Sequence, residues 1–123
     1  MQLVLLTTDL MITSRVQGAA QKLNLQVHPA RTPLEATRLC CATPAATILL
    51  VDLRLPGLDI AELTADARST SPTELTILAC APHVHETHLA AARNAGCDHV
   101  ITRGQLDREI DALLAEVVAA GQR

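Results

Sequence analysis

One carboxylate, Asp52, stands where a buried strand is expected to end, and this makes it the first candidate for chemistry. The run from Ile48 to Val51 is entirely branched aliphatic, as in a strand buried on both faces, and Pro56 and Gly57 then favour a turn. In open α/β sheets, ligands bind at the carboxyl ends of the strands. Asp52 is therefore a candidate for acting on a bound ligand. The alternative is a polar residue that only ends the strand.

A second set of residues could bind a metal ion. His83, His85 and His88 follow Cys80 closely. On a helix only His85 and His88 share a face, so a zinc site would need an irregular first turn. Solvent-exposed histidines at a helix start are the favoured alternative. Neither Cys80 nor Cys97 stands in a recognisable arrangement with a catalytic base, and the glycines form no phosphate-binding loop.

The composition excludes several classes of function. The 123 residues are enough for one domain with a sizeable core, and they include no Phe, Tyr or Trp. A net charge of −3 without a basic run argues against binding of nucleic acid by this chain. No apolar run approaches the roughly 20 residues that span a bilayer, and the four cysteines show no CxxC spacing. We expect a cytoplasmic protein that does not enter a membrane.

Strand and helix signals alternate along the chain. Strands are predicted at 3–6, 25–27, 48–52, 75–81 and 99–102. The first helix is predicted to follow a cap at Asp9, and the second to run from a cap at Thr32, with Pro33 at its first position, to before Pro44. Further helices are predicted at 59–68, at 83–95 with Gly96 as its C-terminal cap, and over a face formed by Leu106, Ile110, Leu113 and Val117. Strands separated by helices favour a parallel sheet covered on both faces. The expected fold is a three-layer αβα sandwich of the flavodoxin-like type.

Three segments, LVLLTTD, ILLVDLRLPGLD and AGCDHVITRG, resemble the receiver domains of bacterial response regulators. The resemblance covers essentially the whole chain. Asp52, Pro56 and Asp59 match the family pattern D-x-x-x-P-x-x-D-G, in which the first aspartate accepts a phosphoryl group, although Ile60 replaces the final glycine. The resemblance implies a CheY-like fold with strand order 2-1-3-4-5 and a role in two-component signal transduction.

The metal-binding positions of the family are altered. Two carboxylates at the end of the first strand hold Mg²⁺ in receivers, and here those positions fall on Thr7 and Thr8. Neutral hydroxyls do not replace two hard anionic oxygens, so no bound metal and no cofactor are expected. Asp9 is a weak candidate for a metal ligand, and capping of the following helix is its favoured role.

The residues that transmit phosphorylation in the family are also replaced. The hydroxyl at the end of the fourth strand falls on Ala81, or on Cys80 if the following loop is one residue longer. The aromatic residue that swings inward on activation falls on Val100. Neither replacement retains the side chain that the switch uses.

The lysine of the family is replaced by Arg103, and the proline after it by Gly104. Without a metal, Asp52 needs another counter-charge, and a guanidinium can hold a carboxylate with two hydrogen bonds. We therefore predict a direct ion pair between Asp52 and Arg103. The alternative is an Arg103 side chain directed to solvent.

These residues favour a degenerate receiver domain that is not an enzyme and acts through contact with another signalling protein, either a histidine kinase or an output protein. The fourth helix, fifth strand and fifth helix are the expected interaction surface and a possible homodimer face. This surface carries His85, His88, Arg93, His99 and Arg108. One alternative is a competent receiver that accepts a phosphoryl group on Asp52 with Mg²⁺ bound through Asp9. Another is a small-molecule binder that uses the vacated crevice.

Overall fold

The computed structural model describes residues 1–42, 45–71 and 74–121. Strands and helices alternate, in the order β1 (Gln2–Leu6), α1 (Leu10–Lys22), β2 (Gln26–Ala30), α2 (Pro33–Cys41), β3 (Thr47–Asp52), α3 (Ile60–Thr70), β4 (Leu75–Ala81), α4 (Glu86–Asn94), β5 (His99–Thr102) and α5 (Arg103–Gly121). The alternation predicted from the sequence is confirmed. Pro44, the predicted stop of the second helix, lies outside the described residues.

All neighbouring strands in the sheet are parallel, and their order is β2-β1-β3-β4-β5. α1 and α5 cover one face, whereas α2, α3 and α4 cover the other. The three-layer fold and the strand order implied by the resemblance are confirmed. Because Leu6 pairs with Val51 and Asp52 pairs with Cys80, the ends of the three central strands lie side by side at one edge of the sheet.

The core is aliphatic on both sides of the sheet. Along β1, Leu3 and Leu5 face α1 and α5, while Val4 and Leu6 face the opposite layer. All five residues of β1 and all six of β3 are buried, as expected for central parallel strands. Full burial of each Leu, Ile or Val side chain stabilises the fold by about 1.5–3 kcal/mol. Together these aliphatic side chains hold the strand ends in place without aromatic residues.

Several helix ends are determined by local sequence. The Thr32 hydroxyl accepts a hydrogen bond of 3.2 Å from the Glu35 N–H, and Pro33 occupies the first helical position of α2. Gly96 follows α4 with φ +89°, a conformation that favours glycine. Both predicted caps are confirmed.

The second strand is longer than its sequence predicts. The prediction closed it at His28 and Pro29, but both residues lie within β2 and pair with β1. β2 pairs with β1 alone and forms one edge of the sheet. An edge strand tolerates proline because one side of its backbone makes no ladder hydrogen bonds.

Two helices also differ from their predictions. α4 begins at Glu86 rather than at residue 83, because the His85 N–H donates to the Pro82 carbonyl in a preceding turn. In α5 the deeply buried position is Leu114, while Leu113 is only half-buried. The face of α5 is therefore rotated from the predicted one by one residue at this turn.

Candidate functional site

Asp52 is the last residue of β3, and only 4% of its surface is exposed. Its Oδ2 accepts a hydrogen bond of 2.8 Å from the Thr7 hydroxyl. Its Oδ1 accepts one of 3.0 Å from the backbone N–H of Arg54. Both carboxylate oxygens are therefore held by neutral donors at the edge of the sheet.

Thr7 follows β1 and is buried beside Asp52. Its hydroxyl donates to Asp52 and also accepts a hydrogen bond of 3.0 Å from the Asp9 N–H. Thr8 is exposed. These are the two positions where receivers carry carboxylates. Thr7 therefore joins the ends of β1 and β3 through its hydroxyl, and Thr8 faces solvent.

Asp9 caps α1, as predicted. Its Oδ1 accepts from the N–H groups of Met11 at 2.8 Å and Ile12 at 3.2 Å. Its Oδ2 accepts from Nη2 of Arg54 at 2.8 Å and from Nη1 of Arg103 at 3.1 Å. Burial alone would raise the pKa of Asp9, but the hydrogen bonds from Ile12, Met11 and Arg103 outweigh it and lower the pKa below its ordinary value.

The predicted ion pair between Asp52 and Arg103 is wrong. Arg103 contacts Asp9, and its Nε lies 3.7 Å from Oδ1 of Asp107. The charged group near Asp52 is Arg54, with Nε 3.9 Å from Oδ1. The alternative of a solvent-directed Arg103 does not hold either, because its side chain is 22% exposed and ion-paired.

A local hydrogen-bond pair explains the position of Arg103. The Thr102 N–H donates to Oε1 of Gln105 at 2.8 Å, and the Gln105 N–H donates to the Thr102 hydroxyl at 3.2 Å. This capping box starts α5 directly after β5 and puts Arg103 in the first turn of the helix. From there its guanidinium meets Asp9 rather than Asp52.

Sequence reasoning missed Arg54. It lies two residues after Asp52 in the β3–α3 connection, and its side chain is 40% exposed. Its backbone N–H contacts Asp52 while its guanidinium contacts Asp9. A cation two residues from the candidate nucleophile was visible in the sequence, but its contact with Asp9 spans 45 residues.

Ala81 and Val100, at the two positions assigned to the activation switch, pack against the core and carry no polar side-chain group. Ala81, the last residue of β4, is buried and carries no hydroxyl. Cys80 pairs with Asp52 in the sheet register, and burial, followed by the nearby charge of Asp52, raises the pKa of its thiol to about 12. Val100 is half-buried against the core on the α3–α4 side.

A cleft of about 410 Å³ opens over the strand ends. It is lined by Thr8, Asp9, Asp52, Arg54, Leu55, His85 and His88. The rings of His85 and His88 lie 5.4 Å apart, tilted by 33°. In the described parts of the chain, no group of three or more His, Cys, Asp and Glu side chains is placed to hold a metal ion.

The five residues assigned to an interaction surface lie in different places. His85 and His88 line the strand-end cleft. Arg93 on α4 and Arg108 on α5 are exposed. His99 is the first residue of β5. With residues of α5 it lines a separate cavity of about 120 Å³ at the amino-terminal ends of the strands, opposite the strand-end cleft. Their role in binding remains a prediction.

Among the described residues, each helix is too short or too polar to cross a bilayer.

Neither a protein-family model nor a curated protein sequence matches this chain. Solved structures do match. The CheY-like receiver domain protein from Methanospirillum hungatei JF-1 superimposes with a TM-score of 0.79 at 17% identity, over 98% of this chain and 95% of that one. The receiver domain of the sensor histidine kinase PA1611 from Pseudomonas aeruginosa PAO1, with magnesium coordinated in its active-site cleft, superimposes with a TM-score of 0.75 at 18% identity, over 94% of each chain.

A streptococcal protein, described as one of a family of redox sensors that evolved from two-component response regulators, superimposes with a TM-score of 0.79 at 13% identity. The match covers 99% of this chain and 53% of that one. At these identities the likeness establishes the fold. The chain has the fold of CheY-like response regulator receiver domains, as the sequence predicted.

Proposed function

We propose that this chain is a degenerate receiver domain that passes signals by contact with another signalling protein, without Mg²⁺-dependent phosphorylation. The observation that carries the proposal is the arrangement around Asp9. Among the described residues, Asp9 is the only carboxylate at the end of β1, and both of its oxygens are occupied, one by the start of α1 and the other by Arg54 and Arg103.

The donors at the strand ends do not suit Mg²⁺. The ion requires near-octahedral coordination by hard oxygens, in proteins mainly from carboxylates and water. A cation that approached Asp9 would have to displace two guanidinium groups and would be repelled by them. Thr7 offers one neutral oxygen, and its proton already binds Asp52. The proposed function therefore does not involve a bound metal.

Phosphoryl transfer to Asp52 would lack its usual electrostatic support. An anionic carboxylate that attacks an anionic phosphoryl donor needs positive charge to offset repulsion in the transition state. Arg54 is the cation within reach, but its Nη2 is bound to Asp9. At Ala81 no hydroxyl is available to bind the transferred group.

The conformational response would also be absent. Receivers signal by a coupled movement of a hydroxyl residue and an aromatic residue, at the positions of Ala81 and Val100 here. Both side chains are small and packed against the core. These replacements favour a domain with a rigid surface that binds a histidine kinase or an output protein. A second copy of the chain could bind through α4, β5 and α5.

Intact-mass measurement after incubation with acetyl phosphate and Mg²⁺ tests the proposal. Wild-type protein and Asp52→Asn are expected to keep identical, unmodified masses, while an active receiver treated in parallel gains one phosphoryl group. A gain that wild type shows and Asp52→Asn lacks would overturn the proposal.

A competent phosphoryl acceptor is the second candidate, and one observation favours it. Asp52 is retained at the end of β3 and lines the strand-end cleft, so a small donor can approach it. If this candidate is correct, the mass gain requires Mg²⁺ and is lost in Asp9→Asn, because Asp9 would supply the metal ligand.

A further inference from the structure

A groove of about 480 Å³ lies between α2 and α3, on the face of the sheet away from α1 and α5. Its lining includes Leu63, which is buried, and Leu34, which is 61% exposed. Thr37 lies one helical turn from Leu34 on the same side of α2. We call this feature the α2–α3 groove. Because only 2% of the Leu63 surface is exposed, the accessible apolar surface of the groove is mainly the Leu34 side chain on its rim.

Three carboxylates follow the α3 side of the groove. Asp59 caps α3, and Glu62 and Asp66 follow at the spacing of one helix face. Among the described residues, none of the three lies within ion-pair distance of a Lys, Arg or His side chain. By contrast, Asp9 and Asp111 each contact two cations. The groove thus combines apolar contact area with negative charge that the chain does not compensate.

We propose that the α2–α3 groove docks a basic amphipathic helix of the signalling partner. An apolar stripe on such a helix would contact exposed Leu34 and half-buried Pro33. Lysine or arginine residues three or four positions apart would match the repeat of Asp59, Glu62 and Asp66. The same carboxylates would repel acidic partners, so the charge sets specificity and speeds association. The inference rests on the proposed function only for its assumption that the domain acts through a protein partner.

Titration of ¹⁵N-labelled protein with a synthetic helical peptide tests the docking site. The probe is a peptide of about fourteen leucine and lysine residues with all leucines on one face. We expect saturable shifts in the amide signals of α2, α3 and the loop at Gly57. In Glu62→Lys/Asp66→Lys the peptide should bind at least about tenfold more weakly.

A matched variant separates the groove from general charge attraction. Glu109→Lys/Glu116→Lys on α5 changes the net charge equally and is expected to weaken binding by less than about threefold. Leu34→Ser leaves the charge unchanged and, because this side chain is exposed, should keep the fold while weakening binding by more than about threefold. Far-UV circular dichroism confirms that each variant is folded.

Three outcomes would overturn the inference. Equal weakening in the two double-charge variants would show attraction without a site, and shifts confined to α4 and α5 would locate docking elsewhere. Groove signals that move with protein concentration in the absence of peptide would identify a second copy as the occupant. These readouts do not involve Asp52, so failure here is distinguishable from failure of the phosphorylation test.

Discussion

The hydroxyl of Thr7 donates a hydrogen bond of 2.8 Å to Oδ2 of Asp52, and both side chains are buried. In receivers, the aspartate at the position of Asp52 lies beside a metal ion that carboxylates hold. Here a neutral donor directly after β1 satisfies the carboxylate at the end of β3. The two central strands are therefore joined at their carboxyl ends by a contact that needs no ion.

Replacement of Thr7 by valine should be clearly destabilising. Valine keeps the shape of threonine but leaves an oxygen of buried Asp52 and the Asp9 N–H without this partner. We expect the free energy of unfolding to fall by about 1–3 kcal/mol. Urea denaturation followed by far-UV circular dichroism measures it, since the chain has no Trp or Tyr. Thr8→Val, at an exposed position, should change it by less than about 0.5 kcal/mol. Equal effects would contradict the assigned hydrogen bonds.

Asp9 should make stability depend on pH in the acid range. Its folded pKa is lowered from the ordinary 3.8, so the folded chain binds this proton less readily than the unfolded chain. The carboxylate therefore stabilises the fold above pH 3.8, and this contribution is lost as the pH falls through the lower folded value.

Asp9→Asn keeps a capping side chain but cannot titrate. The stability difference between wild type and this variant should shrink as the pH is lowered below 3.8. Asp9→Ala also removes the cap and should cost about 0.5–2 kcal/mol at neutral pH. A wild-type advantage over Asp9→Asn that stays constant through the acid range would show that the charge contributes nothing.

Placing carboxylates at the two positions where receivers carry them should create a dependence on Mg²⁺. In Thr7→Asp/Thr8→Asp, a new carboxylate stands beside Asp52, and like charges at short distance are unfavourable. We expect a lower Tm without metal and a rise of several degrees at millimolar Mg²⁺, whereas the Tm of wild type should not respond. The control is Thr7→Asn/Thr8→Asn, which adds oxygens of similar size without charge. A wild-type response equal to that of the aspartate variant would show that the native site already binds the ion.

The cysteines should differ sharply in reactivity. Burial, with a smaller contribution from Cys41, raises the pKa of Cys40 to about 11, and burial raises that of Cys80 to about 12. Because alkylation requires the thiolate, both should stay unmodified in folded protein at neutral pH. Exposed Cys41 should react with iodoacetamide first. Peptide mapping by mass spectrometry locates the adduct, and rapid modification of Cys80 in folded protein would contradict its burial.

Much of the fold follows from short-range patterns. The aliphatic run before Asp52 predicts a buried central strand, and the Thr32–Pro33 pair predicts the start of α2, because each depends on neighbours within a few residues. Predictions failed where a distant neighbour decides the outcome. Pro29 was expected to end β2, yet it is accommodated because β2 lies at an edge of the sheet.

The sequence by itself determined which groups stand at the strand ends: a carboxylate at Asp52, hydroxyls in place of acids, and an arginine at position 103. Only the tertiary structure decided which of them meet. Asp9 lies between two arginines because packing of β1 against β3, and of α1 against α5, brings together residues 45 and 94 positions apart. Residue type and local periodicity set the chemistry available, whereas these ångström-scale separations arise from packing of the whole core.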